Sequence, residues 1–352
     1  MKIGIIGLPQ VGKKTIFKLL TGYNFSEKDV VANKVVKSFA QIRDPRFDLL
    51  SDMYQPKKQV RAKIDIELLP KIDSESIREG TIFENIAEFD AICHIVRAFK
   101  DDSVYHIDGS VDSKRDIERI NSELILHDLL FIEKRVERID DSAKRVKDER
   151  AAKERDLLLK LKEHLEGELP LRLLDLNREE LALISSYPFI TLKKMIVVLN
   201  VSEDALDNDS YRELKGDYID IMQVSAKVES EIISLESEDE REEFLGALGV
   251  KELAVDSLTR LCIEALDLIS FFTVGTDEVR QWLLVKGSLA PQAAGVIHSD
   301  LEKGFIRAEV MQYDDLISLG SEAALRENGK IYLKGKDYTV IDGDILNIRF
   351  NI

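Results

Sequence analysis

The stretch Gly7-Leu8-Pro9-Gln10-Val11-Gly12-Lys13-Lys14-Thr15 carries two glycines and a lysine at the spacing of a phosphate-binding loop. An apolar run, 3–6, precedes it and a helix-like segment, 16–21, follows it. In this order of strand, loop and helix, backbone N–H groups and a helix N-terminus converge on phosphate oxygens. A turn that binds nothing is the alternative. The complete spacing favours a phosphate site, with the candidate residues Gly7, Pro9, Gln10, Val11, Gly12, Lys13, Lys14 and Thr15.

The position after Lys13 departs from the usual motif. Phosphate-binding loops place Ser or Thr there, and its hydroxyl binds Mg²⁺. This chain has Lys14, which offers no acceptor atom and repels a cation, and Thr15 supplies a hydroxyl one residue late. We therefore expect phosphate binding without ordinary magnesium chemistry. Two alternatives stay open for Lys14: it supplies part of the charge of the missing metal, or it is only displayed at the surface.

Composition bounds the class of protein. The 352 residues, 44% hydrophobic, suffice for two or three domains. No apolar run approaches the ~20 residues of a membrane helix, and the N-terminus does not resemble a signal peptide, so we expect a cytoplasmic protein without a membrane partner. Cys93 and Cys262 are expected to be free thiols. The net charge of -16 argues against broad electrostatic binding to nucleic acid.

Apolar runs at 3–6, 91–96 and 195–199 alternate with helix-like segments. This alternation is typical of an α/β domain with a mainly parallel sheet. Ligands bind such sheets at the carboxyl ends of the strands. We therefore expect Gly7, Asn200 and the loop after Val224 to meet at one site.

Between 111 and 168 the chain becomes highly charged and helical, with an apolar stripe at intervals of four and three residues and a shorter return stripe. The first stripe is Ile132, Val136, Ile139, Ala143 and Val146, and the second is Leu158, Leu161 and Leu165. We expect an inserted antiparallel helical hairpin, which serves as a spacer or binds a partner. From 271 onward, short strands and glycine-containing turns predict a small α+β module.

Stretches spread along nearly the whole chain resemble the Obg-like ATPases of the YchF type. They are 7–13, 90–97, 290–298, 302–309, 335–338 and 342–344. The resemblance implies a P-loop NTPase G domain at 1–110 and 185–270, a coiled-coil helical insertion at 111–184, and a C-terminal TGS domain of β-grasp shape at 271–352. It also implies ATP or GTP as the ligand, and ribosome or RNA as a partner.

The resemblance also points to a base-binding site. The family has Asn-Met-x-Glu where most GTPases have Asn-Lys-x-Asp, and its members tend to favour ATP. Here Asn200-Val201-Ser202-Glu203 follows an apolar run, and Ser225-Ala226-Lys227 resembles the loop that closes over the base. Asn200 can bond the base or brace the phosphate loop. The candidate base-binding residues are Asn200, Val201, Glu203, Ser225, Ala226 and Lys227.

The departures from the family fall on the catalytic elements. We match the family's Asp-x-Ala-Gly to Asp65-Ile66-Glu67-Leu68, so Asp65 is the candidate indirect metal contact and Glu67 adds a negative charge near the phosphates. The segments 26–39 and 71–82 lack the family's switch motifs. No histidine has metal-ligand spacing or an adjacent nucleophile, and no catalytic residue is assigned.

Three functions follow as hypotheses. The first is a purine-nucleotide-binding protein acting in translation, with weak or lost hydrolysis. The second is an active ATPase that uses Lys14 or a group from a partner. The third is a nucleotide-free scaffold that binds ribosome or RNA through the hairpin and the C-terminal module. We expect a monomer, because the hairpin can satisfy both apolar stripes within one chain.

Overall fold

The computed structural model describes residues 1–26, 34–144, 148–206, 214, 220–235, 237–247, 250 and 252–351. Val146 of the predicted stripe and much of the predicted first switch segment lie outside these ranges. The chain divides into two compact units. Unit 1 comprises 1–38 and 65–255, and unit 2 comprises 39–64 and 256–352.

Two six-stranded sheets are formed by the described residues. The first has the strand order β2-β4-β1-β5-β6-β7 and the second the order β11-β10-β12-β8-β9-β3. The strands are β1 (Lys2–Ile6), β2 (Val36–Gln41), β3 (Lys58–Val60), β4 (Lys63–Leu68), β5 (Ala91–Arg97), β6 (Lys194–Asn200), β7 (Asp220–Val224), β8 (Leu268–Thr273), β9 (Glu278–Val285), β10 (Phe305–Gln312), β11 (Tyr332–Lys334) and β12 (Asp344–Phe350).

The α-helices of the described residues connect and cover these strands. They are α1 (Lys13–Thr21), α2 (Pro45–Tyr54), α3 (Ser74–Glu79), α4 (Thr81–Ala87), α5 (Ser113–Ala143), α6 (Glu149–Glu166), α7 (Arg178–Ile184), α8 (Ala226–Ser234), α9 (Glu238–Ala247), α10 (Ala254–Ala265), α11 (Ala290–Ile297), α12 (Ser299–Lys303), α13 (Tyr313–Leu319) and α14 (Glu322–Glu327).

The first sheet confirms the predicted α/β class. Strand β1 pairs in parallel with β4 and β5, and β5, β6 and β7 continue in parallel. All seven residues of β5 are buried, as expected for a central strand with both faces covered. The three predicted apolar runs all form strands. Their carboxyl ends therefore lie at one edge, where the phosphate loop begins.

The predicted helical hairpin is present as α5 and α6. Ion pairs join Asp140 to Arg155 and Glu133 to Lys162, so the residue numbers rise on one helix as they fall on the other and the helices are antiparallel. Ile132 of α5 and Leu158 and Leu161 of α6 are fully buried in a shared apolar core. Burial of these side chains holds the two helices together.

Unit 2 has an apolar core on each face of its sheet. Phe271 and Phe272 are neighbours on β8 and therefore point to opposite faces. Phe271 packs with the alanines of α11 in one core, and Phe272 packs in the other core with Phe47 of α2 and Leu316 of α13. The sheet is thus a central layer between helices.

The segment 39–64 packs differently from the predicted division of the chain, which assigned it to the G domain. Its strand β3 pairs in parallel with β9, and the Arg46 guanidinium donates to the carboxylate of Asp342 over 2.6 Å. The hydroxyl of Tyr54 donates to Glu322 over 2.6 Å. These contacts span more than two hundred residues of sequence, which local patterns do not reveal.

Cys93 and Cys262 are buried free thiols, as expected. Burial raises the pKa of Cys93 to about 12, so this thiol stays protonated. Among the helices of the described ranges, none combines the length and the apolar character that crossing a membrane requires.

Candidate functional site

The phosphate loop leaves the carboxyl end of β1 and leads into α1. Geometry requires both of its glycines. Gly7 has φ 149°, and a Cβ added there would lie 2.4 Å from the carbonyl oxygen of Ile95. Gly12 has φ 95°, and its Cβ would lie 2.3 Å from Nδ2 of Asn200. The loop conformation therefore excludes side chains at both positions.

Lys13 is buried at the start of α1. Its amine donates to the carbonyl oxygen of Gly7 and, over 3.3 Å, to that of Pro70 in the loop after β4. Desolvation lowers the pKa of Lys13 to about 7, although nearby Asp73 raises it; the charge of Lys14 lowers it further. The amine is held against carbonyl groups and has a weakened preference for the charged form.

A cavity of about 1290 Å³ opens above the loop. It is lined by 9–15, by 34–36 before and in β2, by 68–71 at the end of β4, and by residues of α3 and α4. The volume exceeds the ~300–1,000 Å³ typical of small-molecule sites, so the cavity has room for a nucleotide. The cavity lies on the β4 side of the loop.

Asn200 braces the loop from the end of β6. Its Nδ2 donates to the carbonyl oxygen of Val11 over 3.0 Å, and its Oδ1 accepts from the backbone N–H of Ala226 over 3.1 Å. One side chain thus joins the phosphate loop, β6 and the start of α8. The sequence left two roles open for Asn200, and in this structure its side chain braces the phosphate loop.

The other candidate base residues lie beside this brace. Val201 is buried and donates its N–H to Val224, while Glu203 and Lys227 are exposed. Ser225 is buried, and among the described residues its hydroxyl has no hydrogen-bond partner. These residues do not line the cavity, and 207–213 and 215–219 next to them lie outside the described residues.

His94 is a buried neighbour of Lys13 and stands opposite Ile6 in the sheet. Desolvation, followed by the charges of Lys13 and Arg172, lowers the pKa of His94 to about 3. The ring is therefore neutral at pH 7. Within the described ranges its Nδ1 has no hydrogen-bond partner. Because its imidazole is neutral, His94 adds no positive charge beside the amine of Lys13.

Comparison with known proteins gives a family for this geometry. The family model YchF-GTPase_C, described as a protein of unknown function, matches 268–351. The ribosome-binding ATPase YchF of Bacillus subtilis is 40% identical, and the match covers 99% of each chain. The chain belongs to the YchF family. Obg-like ATPase 1 of Caenorhabditis elegans is 37% identical over all of this chain and 92% of its own length.

A solved YchF structure has the same fold. The YchF GTPase of Schizosaccharomyces pombe aligns with a TM-score of 0.84 at 30% identity, over 99% of this chain and 97% of the other. The prediction of a YchF-type protein from short motifs is therefore confirmed. The family explains why a phosphate loop, a helical hairpin and a C-terminal β-rich unit occur together.

Within this YchF-family chain, the prediction that Asp65 contacts a metal is wrong. Asp65 stands opposite Lys2, at the beginning of β1, whereas the phosphate loop follows the end of that strand. Four residue rises of about 3.3 Å separate the two levels, so Asp65 is more than about 10 Å away along the strand. Its side chain is exposed and does not line the cavity.

The prediction of a negative charge from Glu67 near the phosphates is also wrong. Glu67 is buried in β4 and pairs with Lys37 over 3.1 Å and with Lys2 over 3.6 Å. The residue at the carboxyl end of β4 is Leu68, and Leu69, Pro70 and Lys71 form the loop that faces Lys13. The end of β4 therefore lies three residues beyond Asp65.

The residues present do not fit Mg²⁺, which phosphate-binding loops of this type ordinarily use. Lys14 stands at the ligand position, and β4 ends at apolar Leu68, which offers no oxygen ligand. Among the described residues, no group of three histidine, cysteine or acidic side chains is placed to hold a metal. Sequence reasoning missed Lys71, which counting from the end of β4 would have found.

Proposed function

We propose that this chain is a purine-nucleotide-binding protein of the YchF type, with ATP or GTP as its ligand. The observation that carries the proposal is the buried amine of Lys13 at the floor of a large cavity, in a loop whose glycines are sterically required. The N–H groups of 9–15 and the N-terminus of α1 would hold the phosphates, and Lys13 would reach the β- and γ-phosphates.

We infer that the base lies over the ends of β6 and β7, beside Glu203 and Ser225-Ala226-Lys227. The end of β6 is fixed to the loop through Asn200, which supports a base site at a constant distance from the phosphate site. Glu203 cannot reproduce the fit of Asp to the two nitrogen donors of guanine. This substitution favours ATP.

We infer that hydrolysis is weak or lost. Phosphoryl transfer depends on positioning and on stabilisation of charge by metal and cations, and loss of one charge stabiliser costs on the order of 10³ in rate. In this chain the metal position is Lys14, and the strand-end position is Leu68. Neither side chain offers an oxygen ligand for a metal.

The domain organisation follows the family in this proposal: a G domain at 1–110 and 185–270, a helical insertion at 111–184 and a TGS domain at 271–352. We add that 42–62, which connects β2 to β4, belongs to unit 2. The relatives from Bacillus subtilis and Escherichia coli O157:H7 are named ribosome-binding ATPases. Ribosome association is the partner role that we propose.

Calorimetric titration with ATP and GTP tests nucleotide binding. We expect the full-length protein to bind at least one of them, and Lys13→Ala to abolish binding because the loop loses its buried cation. Lys18→Ala is the matched control: Lys18 is exposed on the same helix, does not line the cavity, and should leave affinity unchanged. Failure of both nucleotides to bind would overturn the proposal and favour a nucleotide-free scaffold.

A further inference from the structure

Lysines gather at the phosphate end of the cavity. Lys14 lies in the first turn of α1, and Lys71 lies in the loop after β4. Both line the same cavity as Lys13. The bond from the Lys13 amine to the carbonyl oxygen of Pro70, 3.3 Å long, fixes the β4 loop against the phosphate loop and so places Lys71 next to it.

The two lysines stand at informative positions. Lys14 occupies the place of the hydroxyl that would bind a metal, and Lys71 lies three residues beyond the strand end at Leu68. The ammonium of Lys14 lies 5.7 Å from the ring centroid of Phe25, so the side chain rests over an aromatic ring without being buried. Its long flexible stem can carry the charge towards a bound phosphate.

Acidic residues also line the cavity, and their positions matter. Asp73 accepts from the N–H of Ser76 over 3.0 Å as the cap of α3 and pairs with Lys71 over 3.0 Å. The bond from Ser76, followed by Lys71, lowers the pKa of Asp73 to about 2. Glu75 and Glu79 are exposed on α3. Asp73 thus already has partners, and a phosphate that takes Lys71 leaves it capping α3.

We propose that the nucleotide binds without Mg²⁺, and that the ammonium groups of Lys14 and Lys71 neutralise the triphosphate in place of the metal. This proposal rests on the proposed nucleotide-binding function. A divalent cation at the same point would meet the charge of Lys14 and find apolar Leu68 opposite, so metal and lysine exclude each other. Lys71 exchanges Asp73 for a phosphate oxygen on binding.

The test compares the Kd of ATP and of GTP in excess EDTA with the Kd in excess Mg²⁺, on the full-length protein. We expect the two values to agree within about threefold, because the protein supplies the counter-charge. Lys14→Ser, which restores the usual hydroxyl, and Lys71→Gln are each expected to weaken binding in EDTA about tenfold, as the loss of one charged contact to phosphate does. Lys18→Ala should match the wild type.

Each outcome decides between the proposals. Binding that needs Mg²⁺ by more than about tenfold would overturn metal-free binding and leave the nucleotide-binding function standing. Unchanged affinity in EDTA for both Lys14→Ser and Lys71→Gln, with circular dichroism showing folded proteins, would overturn the role of the lysines. Absence of binding under both conditions would overturn both proposals.

Discussion

Lys13 controls the charge of the phosphate site. Its amine is buried and lies near the positive charge of Lys14. The neutral ring of His94 supplies no charge that would stabilise the ammonium form. Among the described residues, Asp73 acts in the opposite direction and raises the pKa of Lys13. A bound triphosphate would reverse this balance, because it favours the ammonium form. Nucleotide binding should therefore be linked to protonation of Lys13.

This linkage predicts a pH dependence. The pKa of Lys13 in the free protein is lowered to about 7, so the amine is mostly neutral at pH 8.5 and must gain a proton to bind phosphate. We expect proton uptake on binding to increase between pH 7.5 and 9, and affinity to fall towards tenfold per pH unit. Calorimetry in two buffers of different ionisation enthalpy measures the uptake. Uptake near zero throughout this range would contradict the prediction.

A buried carboxylate of the helical hairpin bonds to the segment that leads into β6. Asp128 of α5 is fully buried and accepts from the N–H of Thr191 over 2.9 Å, from its hydroxyl over 2.6 Å, and from the N–H of Ile190 over 3.2 Å. These donors precede β6 in the chain. The carboxylate therefore connects the hairpin to the strand that carries Asn200.

Removal of this carboxylate should destabilise unit 1. Asp128→Ala leaves three buried donors unpaired, and we expect a loss of about 2–4 kcal/mol in the free energy of unfolding. Urea titration followed by circular dichroism measures it. Asp141→Ala is the control on the same helix: its carboxylate is exposed and pairs only with Lys144 in the described contacts, so we expect a change within about 0.5 kcal/mol. Equal losses in both variants would refute the anchoring role.

Local sequence patterns predicted the elements that depend on local physics. The strands β1, β5 and β6 follow from apolar runs, and the hairpin from its stripes of buried leucine and isoleucine. Asp65 was misplaced because a letter match ignored where β4 ends, and strand pairing decides that end. The pairing of β3 with β9 joins distant parts of the chain and leaves no periodic signal. Whether Lys71 lines the cavity depends on the same register of β4 against β1, which local sequence patterns do not predict.

At the scale of the whole molecule, the proposed phosphate site lies within unit 1, because every residue that lines the cavity belongs to it. Ligand at a hundred times its Kd stabilises the folded state by about 2.7 kcal/mol. We expect amide hydrogen exchange in 7–15 to slow by up to about a hundredfold with saturating nucleotide, and exchange in β10 of unit 2 to stay unchanged. Mass spectrometry of both peptides checks this. Slowing confined to β10 would contradict the site.

The pairing of β3 with β9 sets the order in which unit 2 can be completed during synthesis. Helix α2 and β3 emerge from the ribosome early, whereas β9 and Leu316, their partners in the sheet and in the core, follow more than two hundred residues later. Most of the residues that pack around Phe47 and Leu50 in this core, such as Phe272 and Leu316, are therefore made only much later. A nascent chain of this protein therefore carries these two apolar side chains without their distant partners through most of its translation, and such exposed apolar surface promotes aggregation before folding is complete.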